Sequence, residues 1–281
     1  MIQVAILQMA TQGMDPKGFE PYFKTAKEKG ASLVLLGEYV LNHFFKELET
    51  MPVNMIKDQS DHHLAMIREM AKKYDMVVVA PLVQVKAKKC YKTIVKVSPK
   101  TTHTYHQQIL IDYGHWDEAK FFANAVKPLE DPLIFNHEGV RFGVIGGFEA
   151  HFNHFFDRLS ARDVDVLLLP TAATFDSHNR WRELLKTRAF LHHLYILRAN
   201  RIGEYYDKEI KWRFYGDSML ISPMGEVESL LEDRESLMVV PIERKAVREA
   251  RRLWGFEKQL RRRLEAAAHP EEGVTSASKK A

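Results

Sequence analysis

The stretch FGVIGGFEAH, residues 142–151, has the pattern of a strand that ends at a working site. Its apolar start favours a strand, and two glycines, an acid and a histidine follow. α/β enzymes often place reactive groups where a strand ends and a helix begins. At this strand end, however, Gly146 and Gly147 supply no side chain, so the position offers no nucleophile.

Three other side chains are candidates for nucleophilic or binding roles. Cys90 lies in KAKKCYK, where four lysines could lower the thiol pKa, but it also fits an ordinary cysteine at the start of a strand. Thr171 and Thr174 follow the strand-like run DVLLLP. The two threonines either bind a ligand or make only packing and hydrogen-bond contacts.

The 13 histidines raise the question of a metal site. His151 and His154 lie three residues apart on a predicted helix, with Glu149 just before them, which is a possible ligand face. No Cys cluster or HExxH pattern accompanies them, and no GxGxxG or GxxxxGK[ST] sequence occurs to bind a nucleotide phosphate. We therefore predict that the protein uses neither a metal nor a cofactor.

The composition limits the class of protein. A chain of 281 residues suggests one large domain, and 46% apolar with 11% aromatic residues suffice for a large core. No apolar run reaches the ~18 residues of a membrane span, and MIQVAILQM lacks the features of a signal peptide. Cys90 is the single cysteine, which excludes an intrachain disulfide. Together these features predict a cytoplasmic protein.

The formal net charge of +4 is concentrated near the C-terminus. Residues 243–265 contain nine Lys/Arg and four Glu, which leaves the preceding chain close to neutral. Because no broad basic face follows from this distribution, we predict no nucleic-acid partner. Because no apolar span occurs, we also predict no membrane partner.

Residues 243–265 also have the apolar spacing of a helix, with Gly255 as a break. We expect this helical extension to pack on the body or on a partner subunit while its arginines stay solvated. The alternative is a basic amphipathic segment that binds acidic lipid or RNA. Residues 266–281 are polar and small, which predicts a disordered tail.

Helical patterns alternate with strand-like segments along the chain. Strands are predicted by IQVAILQ, SLVLLGE, MVVVAPLV, YKTIVKV, RFGVIGG, DVLLLP, LYILRANR, SMLISP and SLMVVPI. Helices are predicted over 17–29, 61–74, 151–162 and 178–192. Hairpin turn residues in SPKTTHTY and SPMGEVES add antiparallel pairs. This mixture indicates an α/β sandwich without an internal linker.

Taken in order, these segments resemble the nitrilase (carbon–nitrogen hydrolase) superfamily over about residues 2–245. LVLLGEY resembles the family's strand with the catalytic glutamate, and RFGVIGGFE resembles the strand that ends at the catalytic cysteine. The other similar blocks are VAILQM, TYHQQIL, GHWDEAKFF, DVLLLPTAA, WRELLKTRA, ILRANRIG and FYGDSMLISPMGEV. The resemblance implies a four-layer α-β-β-α sandwich as a domain over residues 1–242.

The family's catalytic triad is Glu–Lys–Cys, and the resemblance places Glu38, Gln107 and Gly147 at these positions. Family enzymes attack an amide or nitrile carbon with a thiolate, while the lysine stabilises the oxyanion. Glycine supplies no thiolate and glutamine supplies no charge. This implies a pseudoenzyme that binds a small molecule or a protein. The alternative is a hydrolase of C–N bonds that uses an unrecognised nucleophile or water assisted by Glu38.

The missing lysine also bears on Glu38. We expect the pKa of Glu38 to be raised, because burial remains while the cation at position 107 is gone. Glu118 in the acidic loop and Glu149 after the glycine pair would add like charge, and we predict both as binding residues together with the two threonines. Glu38 is then a base or a docking point for a cationic or amine ligand, or else a carboxylate held only by hydrogen bonds.

Association with a second copy is implied by the resemblance and by one aromatic segment. His151, Phe152, Phe155 and Phe156 lie on one short predicted helix, which would expose an aromatic face unless the core or a partner covers it. We predict a two-fold homodimer through this helix, with help from residues 243–260.

Overall fold

Two six-stranded β-sheets lie at the centre of the computed structural model, which describes residues 1–15, 18–207 and 209–268. The first sheet contains, in spatial order, β16 (Ser236–Ile242), β1 (Ile2–Gln8), β2 (Ala31–Leu36), β3 (Val77–Lys86), β4 (Lys89–Val97) and β5 (Thr102–His106). The second contains β15 (Val227–Leu230), β14 (Met219–Ile221), β11 (Tyr195–Asn200), β10 (Val166–Thr171), β9 (Val140–Val144) and β8 (Leu133–His137). Two short pairs lie outside them: β6 (Asp112–Tyr113) with β7 (Trp116–Asp117), and β12 (Ile202–Tyr206) with β13 (Lys211–Tyr215).

Helices cover the outer face of each sheet. The helices are α1 (Glu20–Glu28), α2 (Phe45–Leu48), α3 (Val53–Tyr74), α4 (Glu118–Phe121), α5 (Asn153–Ala161), α6 (His178–His192), α7 (Arg244–Trp254) and α8 (Phe256–Ala268). Helices α1 and α3 pack on the first sheet, while α5 and α6 belong to the layer over the second. The predicted four-layer α-β-β-α sandwich is thus confirmed.

Alternation of side chains explains why the central strands are apolar throughout. In β1, Val4 and Ile6 lie in the core between the two sheets, whereas Ala5 and Leu7 lie in the core beneath α1 and α3. Strand β10 alternates in the same way between the central core and the core beneath α5 and α6. A strand covered on both faces needs apolar side chains at every position.

The carboxyl ends of the parallel strands form the edge that carries the candidate site. Strands β1, β2 and β3 run parallel in the first sheet, as do β9, β10 and β11 in the second. The segment after β2 joins the end of β10 through the backbone, because the Glu38 N–H donates to the Thr171 carbonyl at 3.1 Å. Residues that follow β2, β9 and β10 therefore meet at one place.

Several element boundaries differ from those predicted. Helix α3 begins at Val53, before the predicted start at 61, and the predicted helix over 151–162 is a 3-10 turn (Gly147–His151) followed by α5. Strands β8, β12 and β13 were not predicted. They carry polar residues and several of their positions are partly exposed, so they lack the apolar run that marks a central strand.

The aromatic helix is covered by its own subunit. Phe155 and Phe156 are fully buried in the core beneath α5 and α6, while Phe152 is half-buried against it. The core of the same chain therefore covers this face, and a homodimer through this helix stays a prediction. The phenylalanines are accounted for by packing within one chain.

The C-terminal segment divides at Gly255, which adopts φ 61° between α7 and α8. Helix α7 packs on the body: Val247 is fully buried in the central core, and Arg244 and Arg251 form ion pairs with buried Asp165. Helix α8 continues through the first residues of the predicted tail, which was wrong for 266–268. The rest of that tail, 269–281, lies outside the described residues. Within the described ranges no helix has the length and apolarity needed to span a bilayer.

Candidate functional site

Glu38 lies two residues beyond β2, where the two sheets meet, and is only 5% exposed. The backbone N–H of Gly147 donates to its Oε1 at 3.2 Å. Lys92 Nζ donates to its Oε2, also at 3.2 Å. The structure therefore brings Glu38 and Gly147 into direct contact, and it adds a cation that sequence reasoning did not assign.

Lys92 supplies the positive charge that was expected to be missing. It lies on β4 and is 5% exposed, and its ammonium also donates to both carboxylate oxygens of Glu118, at 2.7 and 2.8 Å. The Gln107 N–H donates to the Lys92 carbonyl, so the two residues are neighbours across β4 and the end of β5. The cation lies on β4, beside position 107, and the expectation that Glu38 lacks a counter-charge was wrong.

The sequence held one signal for Lys92. Strand YKTIVKV places Lys92 on the same face as Ile94, and Ile94 belongs to the core between the sheets. A lysine on a core-facing position requires an anionic partner, because an unpaired buried charge is too costly. Because the segment was interpreted only as a strand, the need of Lys92 for an anionic partner was not recognised.

Glu118 completes the ion cluster, which we define as Glu38, Lys92 and Glu118. It is the first residue of α4 and has no exposed surface. Besides the two contacts with Lys92, it accepts a hydrogen bond from the Tyr39 hydroxyl. Its carboxylate is thus occupied by partners from its own chain, and it serves the site by holding Lys92.

Burial and the neighbouring charges shift the pKa values of Glu38 and Lys92. Burial raises the pKa of Glu38, the Lys92 ammonium opposes that rise, and the Glu118 carboxylate adds to it. Burial also opposes the charge on Lys92, but the two carboxylates outweigh it and hold the Lys92 pKa above its usual value. With both carboxylates ionised, one ammonium serves two anions and leaves a net charge of −1. The predicted rise in the pKa of Glu38 has the predicted direction, although burial rather than a missing cation causes it.

Gly147, which the family resemblance predicts at the nucleophile position, has surroundings that leave little room for a side chain. A Cβ added there would lie 2.9 Å from Thr171 Cγ2 and 3.0 Å from the Pro170 carbonyl oxygen. Both distances are closer than ordinary van der Waals contact. The end of β10 therefore occupies the space that a side chain at position 147 would need.

Gln107 is buried beside the glycine pair but does not take the place of a cation. Its side-chain amide donates to the Ile109 carbonyl at 2.9 Å, and a Cβ added to Gly146 would meet its amide at 2.5 Å. Gln107 therefore fills the space against Gly146 and is not among the residues that line the cavity beside Glu38. It supports the strand end rather than facing a ligand.

Glu149 also lies away from that cavity. Its fully buried carboxylate accepts hydrogen bonds from the backbone N–H groups of Gly146 (2.6 Å) and Gln108 (2.6 Å) and from the Tyr105 hydroxyl (3.0 Å). Burial raises its pKa to about 7. The geometry gives Glu149 the role of tying the end of β5 to the turn after β9.

Both predicted threonines line the cavity, but their hydroxyls have partners. The Thr171 hydroxyl donates to Asn200 Oδ1 at 2.8 Å and accepts from Arg198 Nε at 3.1 Å. The Thr174 hydroxyl donates to the Arg213 carbonyl at 2.6 Å. They shape the wall of the cavity, and any role in binding stays a prediction.

The cavity has a volume of about 440 Å³. Glu38, Lys92 and Gly147 form its buried floor, and its wall consists largely of aromatic rings. Arg180 lies at its exposed outer edge. Such a cavity, mostly apolar with a few convergent polar groups, is typical of a small-molecule site.

Cys90, the other candidate nucleophile, is not among the residues that line this cavity, whereas His151 lines it. Cys90 is 5% exposed in an apolar cluster, and burial raises the pKa of its thiol, which favours the plain strand cysteine. Within residues 1–15, 18–207 and 209–268, no group of three or more His, Cys, Asp or Glu side chains is arranged to hold a metal ion.

The chain is similar to known proteins over nearly its whole length. The sequence profile of the family "Carbon-nitrogen hydrolase" matches residues 3–252. The chain is 22% identical to the N-carbamoylputrescine amidase of Arabidopsis thaliana, covering 86% of this chain and 85% of the relative. It is also 22% identical to the enzyme of the same name from Solanum tuberosum, covering 93% and 92%.

Solved structures show the same fold. A carbon-nitrogen hydrolase from Helicobacter pylori superposes with a TM-score of 0.81 at 20% identity, covering 92% of this chain and 94% of that one. A CN-hydrolase superfamily protein from Xanthomonas campestris gives 0.77 at 19% identity, covering 92% and 96%. An amidase of the nitrilase superfamily from Nesterenkonia gives 0.71 at 20% identity, covering 88% and 93%.

The ion cluster leads to a first prediction. Replacing Lys92 by methionine leaves two buried carboxylates without their cation, so the free energy of unfolding should fall by about 3–5 kcal/mol at neutral pH. The deficit should shrink as the pH is lowered, because protonation of Glu38, whose pKa is raised, removes uncompensated charge. Urea unfolding at several pH values measures this.

Lys89→Met is the matched control, because Lys89 lies on the same strand but is exposed. It should change stability by no more than about 0.5 kcal/mol. Equal stability of the two variants would show that the ion cluster contributes nothing.

The second prediction concerns the space at Gly147. Gly147→Ala should lower the free energy of unfolding by about 1–3 kcal/mol, because the added methyl group overpacks the site. Adding Thr171→Ser removes the nearest carbon and keeps the hydroxyl, so it should recover part of the loss. Thermal unfolding monitored by circular dichroism provides the measurement.

Gly114→Ala is its control, since a Cβ there meets nothing within 4 Å. Both substitutions reduce the conformational entropy of the unfolded chain equally. The difference in stability between the two variants therefore measures the cost of overpacking at position 147. If Gly147→Ala were as stable as Gly114→Ala, the space for a nucleophile would be intact.

Proposed function

The chain belongs to the carbon–nitrogen hydrolase family, and from that premise we propose that it binds a small molecule in the cavity above Glu38 without forming a thioester to it. The observation that carries the proposal is the packing at Gly147, where Pro170 and Thr171 occupy the space of a side chain. A simple deletion of the nucleophile would leave a gap. The close packing leaves no room for a nucleophile, which supports a site that binds without covalent chemistry.

The contacts of the Lys92 ammonium support the same proposal. Its ammonium makes three contacts with carboxylate oxygens, as many as it has N–H groups. An oxyanion that formed in the cavity would have to displace one of them to gain a donor. Catalysis by oxyanion stabilisation requires donors that already point at the developing charge.

Hydrolysis by water is the second candidate function, and one observation favours it. Glu38 is buried beside the cavity with a raised pKa, as a general base that works near neutral pH needs to be. The names of the relatives from Arabidopsis and potato point to a carbamoyl–amine bond as the first one to test. In this chain the reaction would proceed by direct attack of water on the carbonyl carbon.

A hydrolysis screen decides between the two functions, and it gives the third prediction. We expect the purified protein to release no more ammonia or amine from carbamoyl-amines, simple amides and nitriles than its Glu38→Gln variant releases. We also expect mass spectrometry of the incubated protein to show no acyl adduct. Turnover that disappears in Glu38→Gln would establish the hydrolase and refute the binding proposal.

We also propose that the protein forms a homodimer, and that α7 and α8 contribute its apolar contact. The residues that support this are exposed by 37–71% and lie in or beside these helices: Leu253, Trp254, Phe256, Leu260 and Leu264. A stripe of this kind is unusual on a protein that remains monomeric. A cytoplasmic location likewise stays a proposal, consistent with one reduced, buried cysteine.

The fourth prediction tests this interface. Light scattering at micromolar concentration should give twice the mass of one chain, and the double variant Leu260→Glu/Leu264→Glu should give one. Charged side chains in an apolar contact would be buried without partners, which the dimer cannot tolerate. Gln259→Glu, on the same helix but outside the stripe, should remain dimeric. A monomeric wild-type protein would refute the proposal.

A further inference from the structure

The cavity that we propose as the ligand site has a buried floor and an aromatic, partly exposed mouth. Six rings that line it are in contact in series, with centroids 5.1–6.0 Å apart: Trp181, His151, Phe148, Tyr113, His115 and Phe175. We call this series the aromatic collar. Tyr113 and Phe175 are 48% and 42% exposed, so the collar reaches solvent, whereas the floor is buried.

The hydrogen-bond donors at the floor and in the adjoining wall already have acceptors within the chain. The three contacts of the Lys92 ammonium go to Glu38 and Glu118, and the Thr171 hydroxyl donates to Asn200. The Gly147 N–H donates to Glu38. What the floor still offers a ligand is acceptor capacity on the Glu38 carboxylate, since each carboxylate oxygen can accept more than one hydrogen bond.

The charges of the site favour the same kind of ligand group. One ammonium serves two carboxylates in the ion cluster, so the floor is negative by one charge when both are ionised. Arg180, the remaining cation along the cavity, lies at the exposed edge, where water screens it.

We propose that the cavity binds a primary amine, with its ammonium donating to Glu38 and its apolar or aromatic body held in the collar. This inference rests on the proposed function, since it names the class of ligand for that cavity. A carboxylate ligand would meet the negative floor, and a neutral alcohol would bring one donor without the charge. The ammonium brings three donors and the complementary charge.

Calorimetric titration of the full chain with three ligands of matched shape tests the proposal. The probes are phenethylamine, phenethyl alcohol and 3-phenylpropionate. At neutral pH we expect phenethylamine to bind at least ten-fold more tightly than the alcohol and 3-phenylpropionate to bind most weakly. An alcohol or acid that binds as tightly as the amine would overturn the amine proposal and leave the cavity as a site for another ligand class.

Two variants test separately what the floor and the collar contribute to ligand affinity. Glu38→Gln should reduce the ratio of amine to alcohol affinity to near one, because it removes the negative charge and keeps the shape. Tyr113→Leu should weaken the amine and the alcohol to a similar degree, because both bodies use the collar. Glu226→Gln, an exposed position outside the cavity, should change neither. An unchanged ratio in Glu38→Gln would contradict the assignment of Glu38.

The failure of this inference is distinguishable from that of the proposed function. If none of the three probes binds, the amine proposal is wrong whatever the screen for hydrolysis finds. If the screen also shows turnover that depends on Glu38, the binding proposal is wrong as well. If the screen shows none, binding of another ligand class remains the function to pursue.

Discussion

The ion cluster of Glu38, Lys92 and Glu118 is the interaction on which the rest of the site depends. Its members come from the segment after β2, from β4 and from α4, and all are at least nine-tenths buried. Removing such charges from water costs several kcal/mol for each ion, so the cluster is stable only while all three are present in contact. This requirement fixes the positions of three separate segments of the chain relative to one another. The floor of the cavity is built on that arrangement.

The residues predicted at the family's triad positions are linked in space through this cluster. With the cation on β4, position 107 needs no charge, and Gln107 can turn its amide to the Ile109 carbonyl and pack against Gly146. Without a side chain, Gly147 can approach Pro170 and Thr171 and donate its N–H to Glu38. Each change suits the presence of the others, which is how a pocket rebuilt for a different purpose would differ from a damaged one.

The sequence allowed the fold and part of the site to be predicted, for reasons that can be stated residue by residue. Continuous apolar runs predicted the central strands because both faces of those strands are buried, as β1 and β10 show. The family resemblance placed Glu38 and Gly147 together, and the structure gives the physical reason, since both follow strands whose carboxyl ends meet. Weakly patterned edge strands such as β8 could not be predicted, since partly exposed positions carry no periodic signal.

Lys92 could not be assigned because its partners depend on lateral register, which a single sequence does not reveal. The residue lies beside Gln107 only through the pairing of β4 with β5, and a shift of one residue would turn it to the other face. Glu149 was misjudged for a related reason. Its position after the glycine pair suggested the cavity, but its carboxylate is held by the N–H groups of Gly146 and Gln108, and Glu149 is not among the residues that line the cavity.

The cluster also links the occupant of the cavity to the protonation of Glu38. Lys92 is held charged by its two carboxylates, so Glu38, with its raised pKa, is the member whose charge changes most readily. A proton on Glu38 and an ammonium beside it neutralise the same negative charge, and each therefore weakens the affinity for the other by the same factor. His115 and His151 in the collar would add positive charge of their own if protonated, and would oppose a cationic ligand together with the proton on Glu38. The cation that we propose would be held only while the floor stays ionised, and the burial of Glu38 together with the charges of Lys92 and Glu118 sets the pH at which that condition ends.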